Sequence, residues 1–73
     1  MEKVTKQELL NSIDKLSEVA KNSGKVSDKE RFEIFINSLK RSTSEADESN
    51  PSISSFKRLI DCLTNVSKDG KGN

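Results

Sequence analysis

The chain has 73 residues, of which 34% are charged and 30% hydrophobic, and its formal net charge is +1. A chain of this length has room for one small domain. It contains no His or Trp and a single Cys, so it lacks the commonest general base, the commonest zinc ligand and any internal disulfide. This composition argues against an enzyme and against a metal or other cofactor.

The low apolar content also bears on the cellular location of the chain and on the source of its stability. No apolar run approaches the roughly 18 residues of a membrane span, and the first residues lack the apolar core of a secretory signal. We therefore expect a cytoplasmic protein that does not bind membranes. Ordering so small a chain costs about as much free energy as its apolar side chains, aliphatic stems, backbone burial, hydrogen bonds and dispersion together provide. This balance favours stabilisation by a second copy or another partner.

The first apolar pattern predicts a helix over residues 5–23. Its apolar positions recur four, three and four residues apart, as on one helix face: Leu9, Ile13, Leu16 and Ala20. Thr5 followed by Glu8 is a capping-box pattern that favours a helix start, and Val4 can pack across this cap. Gly24 can adopt the left-handed conformation that ends a helix.

A second helix is predicted over residues 27–43. Ser27 and Glu30 repeat the capping-box pattern, and Lys40 and Arg41 are expected in the last turn. The apolar face is formed by Phe32, Phe35, Ile36 and Leu39. Because two of the three Phe residues are here, we expect this helix to hold the middle of the core. Ile34 falls on the opposite side, where it either packs on a second neighbour or contacts another protein.

The third helix is predicted over residues 51–67, after an acidic, Ser-rich loop at 42–52 and before a flexible tail at 68–73. Pro51 suits the first position of a helix capped by Asn50, and Ser52 is the alternative cap. The apolar positions are Ile53, Phe56, Leu59, Ile60, Cys62, Leu63 and Val66. Together the three patterns predict an all-α fold, a small three-helix bundle built from a helical hairpin and a third covering helix.

Two features of this bundle stay open at the level of sequence. The short first connection requires an antiparallel pair of helices, whereas the longer second loop leaves the direction of the third helix undetermined. A third helix that is swapped into a second subunit is an alternative to one that covers its own hairpin. A dimer is therefore compatible with the predicted fold.

The single cysteine and two pairs of acidic residues are the candidates for a catalytic or metal-binding role, but each is better explained as a structural or solvent-exposed residue. Cys62 lies among apolar helical neighbours and no His is present to activate it, so we expect a buried structural thiol. Asp14 with Glu18, and Glu30 with Glu33, are close on their helices, but such pairs are common on solvated faces and hard metals need more oxygens. We therefore predict no catalytic or metal-binding residues.

Nucleic acid binding is the main alternative to protein binding. Basic residues concentrate in the second helix and near the start of the third: Lys25, Lys29, Arg31, Lys40, Arg41, Lys57 and Arg58. Around the first turn, Ala20, Gly24 and Val26 resemble in outline a helix-turn-helix, over about 20 residues, and the resemblance implies a small DNA-binding regulator. The pattern departs from the motif where Glu30 or Arg31 takes a position that should be buried, and nearby carboxylates would oppose phosphate.

The amphipathic helices themselves are the remaining functional signal. Three apolar faces in so small a domain cannot all be covered, which indicates a non-catalytic protein-binding module such as an adaptor, inhibitor or regulatory subunit. The residues that we predict to contact the partner are apolar residues at the edges of these faces and charges near them: Ile34, Leu10, Val19, Arg31, Glu33, Lys40 and Arg41. Ile34→Glu is expected to preserve helicity and to abolish partner binding.

Overall fold

The computed structural model describes residues 4–24 and 26–68, apart from the Lys68 side chain, and the described residues form three α-helices. They are α1 (Lys6–Asn22), α2 (Lys29–Glu45) and α3 (Ser52–Lys68). These bounds compare with 5–23, 27–43 and 51–67 expected from the sequence. The tail predicted at 68–73 lies outside the described residues beyond position 68.

Local signals set both ends of α1. The Thr5 side chain accepts a hydrogen bond from the Glu8 amide at 3.1 Å, and the Glu8 carboxylate accepts one from the Thr5 amide at 2.9 Å. This reciprocal arrangement satisfies two amides that a helix start leaves without partners. After α1, Gly24 has a φ of +76°, a conformation that costs other residues about 1–2 kcal/mol.

The start of α2 differs from the sequence prediction. Its cap is Asp28 and not Ser27: an Asp28 carboxylate oxygen accepts a hydrogen bond from the Arg31 amide at 3.1 Å. A carboxylate is favoured there because it also interacts with the positive end of the helix dipole.

The end of α2 also differs, since the helix continues to Glu45 and the last turn contains neither Lys40 nor Arg41. Tertiary contacts explain the extra length. The Lys6 ammonium donates to the carbonyl oxygens of Ser44 at 2.8 Å and Ala46 at 2.9 Å, so α1 supplies the cation that stabilises the end of α2. Buried Thr43 donates its hydroxyl hydrogen bond to the Leu39 carbonyl.

A short loop connects α2 to α3, and Asn50 ends it. The Asn50 side-chain oxygen accepts from the Ser52 amide at 2.9 Å, and its carbonyl accepts from the Ile53 amide at 3.1 Å. Asn50 therefore supplies the capping side chain, as the preferred of the two alternatives expected from the sequence has it, while Pro51 lies just before the first helical residue, Ser52.

The three helices form a flat layer with α1 in the centre. The Cα atoms span 36 × 26 × 13 Å, and α1 packs against both α2 and α3, which meet each other only weakly. The expectation that the second helix holds the middle of the core is therefore wrong. The reason is the width of the buried surface of α1, which includes Ser12 and Ser17 as well as its apolar residues.

Polar contacts fix the direction of all three helices. Along α1, Lys6 contacts the end of α2, Asp14 pairs with Lys40, and Lys21 pairs with Glu33 at 2.6 Å. This order makes α1 and α2 antiparallel. The Lys6 amide donates to Glu48 in the loop before α3, whereas Ser12, further along α1, borders the same groove as Asp61, which is later in the chain. Thus α3 runs in the same direction as α1 and packs on its own chain.

The core lies along the two seams that α1 makes. Its buried members are Leu9, Ile13, Leu16, Ile36, Ile53 and Ile60, and the partly buried side chains that pack against them are Val4, Phe32, Leu39, Ala46 and Phe56. Half of the buried cluster comes from α1, which explains why one helix can hold the other two. Within the two described segments, none of the helices has the length and apolarity needed to cross a membrane.

Truncation of a buried and of an exposed isoleucine to alanine tests which side chains form the core. Ile13 is 0% exposed and Ile34 is 61% exposed, so the same truncation has different consequences at the two positions. We expect Ile13→Ala to lower the free energy of unfolding by about 3 kcal/mol, and Ile34→Ala to change it by less than about 0.5 kcal/mol. Urea unfolding followed by circular dichroism measures both values. Similar losses for the two variants would contradict the packing described.

Candidate functional site

Large apolar side chains remain exposed on the two outer helices. Those on α2 are Ile34 and Phe35, and those on α3 are Leu59, Leu63 and Val66. Each outer helix packs mainly against α1, so an apolar face wider than this one seam cannot be fully covered. The exposed residues fall into two surfaces and one isolated side chain.

The first surface is the Phe35 patch, which consists of Val26, Phe32 and Phe35 with Asp28 and Arg31 at its rim. These residues border an open cavity of about 470 Å³, to which Ala20 and Ser27 also contribute. The two phenyl rings have centroids 6.2 Å apart and planes inclined by 40°, a favourable aromatic geometry. Phe35 is 50% exposed, so its ring is fixed on one side and available on the other.

Charges of both signs stand at the rim of this patch. The Arg31 side chain is 87% exposed, and its Nε lies 3.6 Å from a carboxylate oxygen of Asp28. An apolar centre with a polar rim is the usual anatomy of a protein-binding surface. The rest of the Arg31 guanidinium extends into solvent, where it can bind a carboxylate of a partner.

The second surface is the α3 strip, formed by Ser52, Ser55, Leu59, Cys62, Leu63 and Val66. All six are exposed; Ser55, Cys62 and Val66 lie across α3 from Ile53 and Ile60, and Ser52, Leu59 and Leu63 lie at the side of the helix next to them. None of the six is charged. The strip therefore joins four apolar or weakly polar side chains into one exposed face of about two helical turns.

Cys62 lies within this strip, and its thiol is exposed. The expectation of a buried structural thiol is therefore wrong. Cys62 is two residues from buried Ile60, which places it about 200° around the helix, and α3 has no second helix packed there. Helical periodicity indicates which residues share a face but not which part of a wide face a neighbour covers.

A polar groove separates α1 from α3 on the other side of α3. It has a volume of about 500 Å³ and is lined by Glu8, Asn11, Ser12, Lys15, Lys57, Asp61, Thr64 and Asn65. The Lys57 ammonium donates to Asp61 at 2.7 Å. This bond holds the pKa of Asp61 below its ordinary 3.8, helped by the Ser12 hydrogen bond and the Lys15 charge, while burial acts in the opposite direction.

The seven predicted contact residues lie in several places. Ile34 is exposed on the outer side of α2, where the residues one turn away are Glu30, Arg31, Asn37 and Ser38, so no apolar neighbour extends it. Leu10 and Val19 are half-buried on α1, nine positions apart and therefore on opposite flanks. Only Arg31 joins one of the apolar surfaces. Phe35, Leu59, Leu63 and Val66 were expected in the core, whereas the structure leaves all four exposed.

The remaining predicted contact residues are charged. Glu33 pairs with Lys21 and Lys40 pairs with Asp14, so both already link α2 to α1, while Arg41 is exposed on α2. Ion pairs of this kind at a half-exposed surface stabilise a fold by less than about 1 kcal/mol.

Three of the seven basic side chains that could form a nucleic-acid surface have a carboxylate partner. Arg31 lies beside Asp28, Lys40 beside Asp14, and Lys57 beside Asp61; Lys25 lies outside the described residues. In addition, α1 and α2 run side by side along their length, whereas the helices of a helix-turn-helix cross at about 90–120°. Among the described residues, no three His, Cys, Asp or Glu side chains converge as a metal ion would require.

Comparisons with protein-family models, with curated proteins and with solved structures found no match for this chain.

The Lys57–Asp61 contact predicts a pH-dependent contribution to stability. Because the pKa of Asp61 is lower in the folded chain, its contribution is present above the unfolded-state pKa and is lost as pH falls through the folded-state value. Asp61→Asn should therefore lower the melting temperature at pH 7 by roughly 2–4 °C, which corresponds to about 0.5 kcal/mol for a partly exposed pair. As pH falls below 3.8, the ordinary value, the difference in melting temperature between the variant and the parent should shrink.

Thermal unfolding followed by circular dichroism at several pH values measures this convergence. Glu18→Gln, at an exposed position of α1, is the control and should follow the parent at every pH. An Asp61→Asn deficit that persists unchanged to pH 2 would show that the carboxylate charge is not its cause.

Proposed function

We propose that this chain is a non-catalytic protein-binding module, of the kind that serves as an adaptor, inhibitor or regulatory subunit. The observation that carries the proposal is the half-exposed ring of Phe35 beside Phe32, over an open cavity and inside a charged rim. An aromatic side chain held in place by a second ring loses little freedom on binding, so it is an effective anchor for a partner.

The surroundings of Phe35 indicate what the partner presents. Val26, Phe32 and Phe35 offer an apolar recess, and the exposed guanidinium of Arg31 stands at its edge. A partner segment that places an apolar side chain in the recess and a carboxylate near Arg31 would satisfy both features. The rim charges then influence orientation and the rate of association more than affinity.

Self-association forms part of the same proposal. A domain of 73 residues with no internal disulfide has little apolar core for its length. Large side chains that stay exposed on α3 would be removed from water by a second copy. We therefore propose that the module works as a homodimer, and that it acts away from membranes in the cytoplasm.

Variants at adjacent positions of α2 test where the partner binds. Phe35→Glu places a charge in the patch and should reduce partner capture at least about tenfold, while Ile34→Glu places the same charge on the outer side of α2 and should leave capture unchanged. Tagged parent and variants are incubated with native lysate, and captured proteins are quantified by mass spectrometry. Circular dichroism confirms that both variants remain helical.

Each outcome of this comparison decides between surfaces. Loss of capture with Ile34→Glu alone would support the face predicted from the sequence and contradict the Phe35 patch, and equal loss in both variants would contradict Phe35 as the centre of the contact. Recovery of nucleic acid in place of a protein, with salt-dependent binding to a labelled duplex, would contradict the proposed function.

A further inference from the structure

The α3 strip has the spacing of a helix-pairing seam. Five of its members, Ser52, Ser55, Leu59, Cys62 and Val66, are alternately three and four residues apart, and Leu63 lies beside them. This is the repeat by which one helix packs along another. All of these side chains are exposed, although α3 is already packed against α1 through its opposite face.

We propose that the α3 strip is the surface on which two copies of this chain associate, with α3 packed against α3 of the second copy across a twofold axis. This assignment deepens the self-association proposed above and rests on it. It does not depend on the Phe35 patch, which lies on α2 and stays accessible in such a dimer. The occupant of the strip is thus a second copy and not the partner that Phe35 binds.

The charge distribution distinguishes a second copy from another protein. A twofold contact brings identical surfaces together, so any charge in its centre meets a like charge. None of the six side chains of the α3 strip is charged, in a chain that is 34% charged. The net charge of +1 adds little long-range repulsion between copies.

Charged residues of α3 lie beside the strip and not within it. Lys57 and Asp61 lie on the flank that borders α1 and are paired with each other at 2.7 Å, and Arg58 is exposed at the edge of the strip, one turn before Cys62. The Phe35 patch differs because charges of both signs, Asp28 and Arg31, stand at its rim. Charges of both signs select a partner with complementary charges, whereas interfaces with an apolar centre are typical of homodimers.

The dimensions of the strip set the expected strength of the dimer. A helix of 17 residues is about 25 Å long, and a single helix pair of this length lies at the small end of specific interfaces. We therefore expect dissociation in the micromolar range. Cys62 is near the middle of the apolar segment from Leu59 to Val66, so the two Cys62 thiols of the dimer lie close together.

Molecular mass measured by light scattering over a range of concentrations tests the proposal. The parent should approach twice the mass of one 8.1 kDa chain at high micromolar concentration. Leu59→Glu should weaken the dimer by more than about tenfold. Ile34→Glu is the matched control, because it places the same charge at a similarly exposed position, 61% against 53%, and it should leave the dimer unchanged.

Chemical cross-linking locates the contact independently of these variants. A short bismaleimide should join two parent chains through Cys62, the single Cys of each, and Leu59→Glu should reduce the yield to that of random collision. Cys62→Ser gives the background. If Leu59→Glu does not fold, Val66→Glu replaces it, since Val66 is as exposed as Ile34 at 61%.

Several results would overturn the assignment. They are a parent that keeps the mass of one chain at every concentration, a dimer that persists in Leu59→Glu or Val66→Glu, and equal weakening by Ile34→Glu. A monomer that loses another protein when Leu59 is changed would assign the strip to that protein. A dimer held by the strip, with no protein captured through Phe35, would instead contradict only the proposed hetero-binding function.

Discussion

Burial of α1 between two neighbours is the constraint on which the rest of the structure depends. Leu9, Ile13 and Leu16 are buried in one cluster with Ile36 of α2 and with Ile53 and Ile60 of α3. Ser12 and Ser17 are also buried on α1. Because their side chains are small, both α2 and α3 can pack closely against α1. Lys6 ties the start of α1 to the end of α2 and to the loop before α3. One helix thereby organises the whole chain.

The same constraint determines which surfaces remain available. With α1 in the centre of a layer only 13 Å thick in Cα atoms, α2 and α3 each have one main neighbour. Both nevertheless carry apolar residues over a wider arc than one neighbour covers. The apolar residues that α1 does not cover form the Phe35 patch on α2 and the α3 strip. The two surfaces differ in charge: Arg31 and Asp28, of opposite sign, stand at the rim of the Phe35 patch, whereas none of the six residues of the α3 strip is charged.

Helix identity and most helix ends could be predicted from the sequence because their causes are local. The capping box at Thr5, the left-handed Gly24 and the Asn50 cap act within one turn. The central helix could not be predicted, because burial of Ser12 and Ser17 depends on helices distant in sequence. For the same reason Cys62 and Leu59 were assigned to the core. Ile34 was correctly recognised as surplus to the apolar face of α2, but its neighbours on that side are polar.

The most direct test of this account is the rate at which a small maleimide labels Cys62 in the native protein. The α3 strip lies in solvent in a single chain and is covered by the second copy in the proposed dimer. Labelling should therefore be nearly as fast as in urea when the protein is dilute, and should slow as concentration rises through the micromolar range. Slow labelling at every concentration would show that Cys62 is buried within one chain, and fast labelling at every concentration would show that nothing covers the strip.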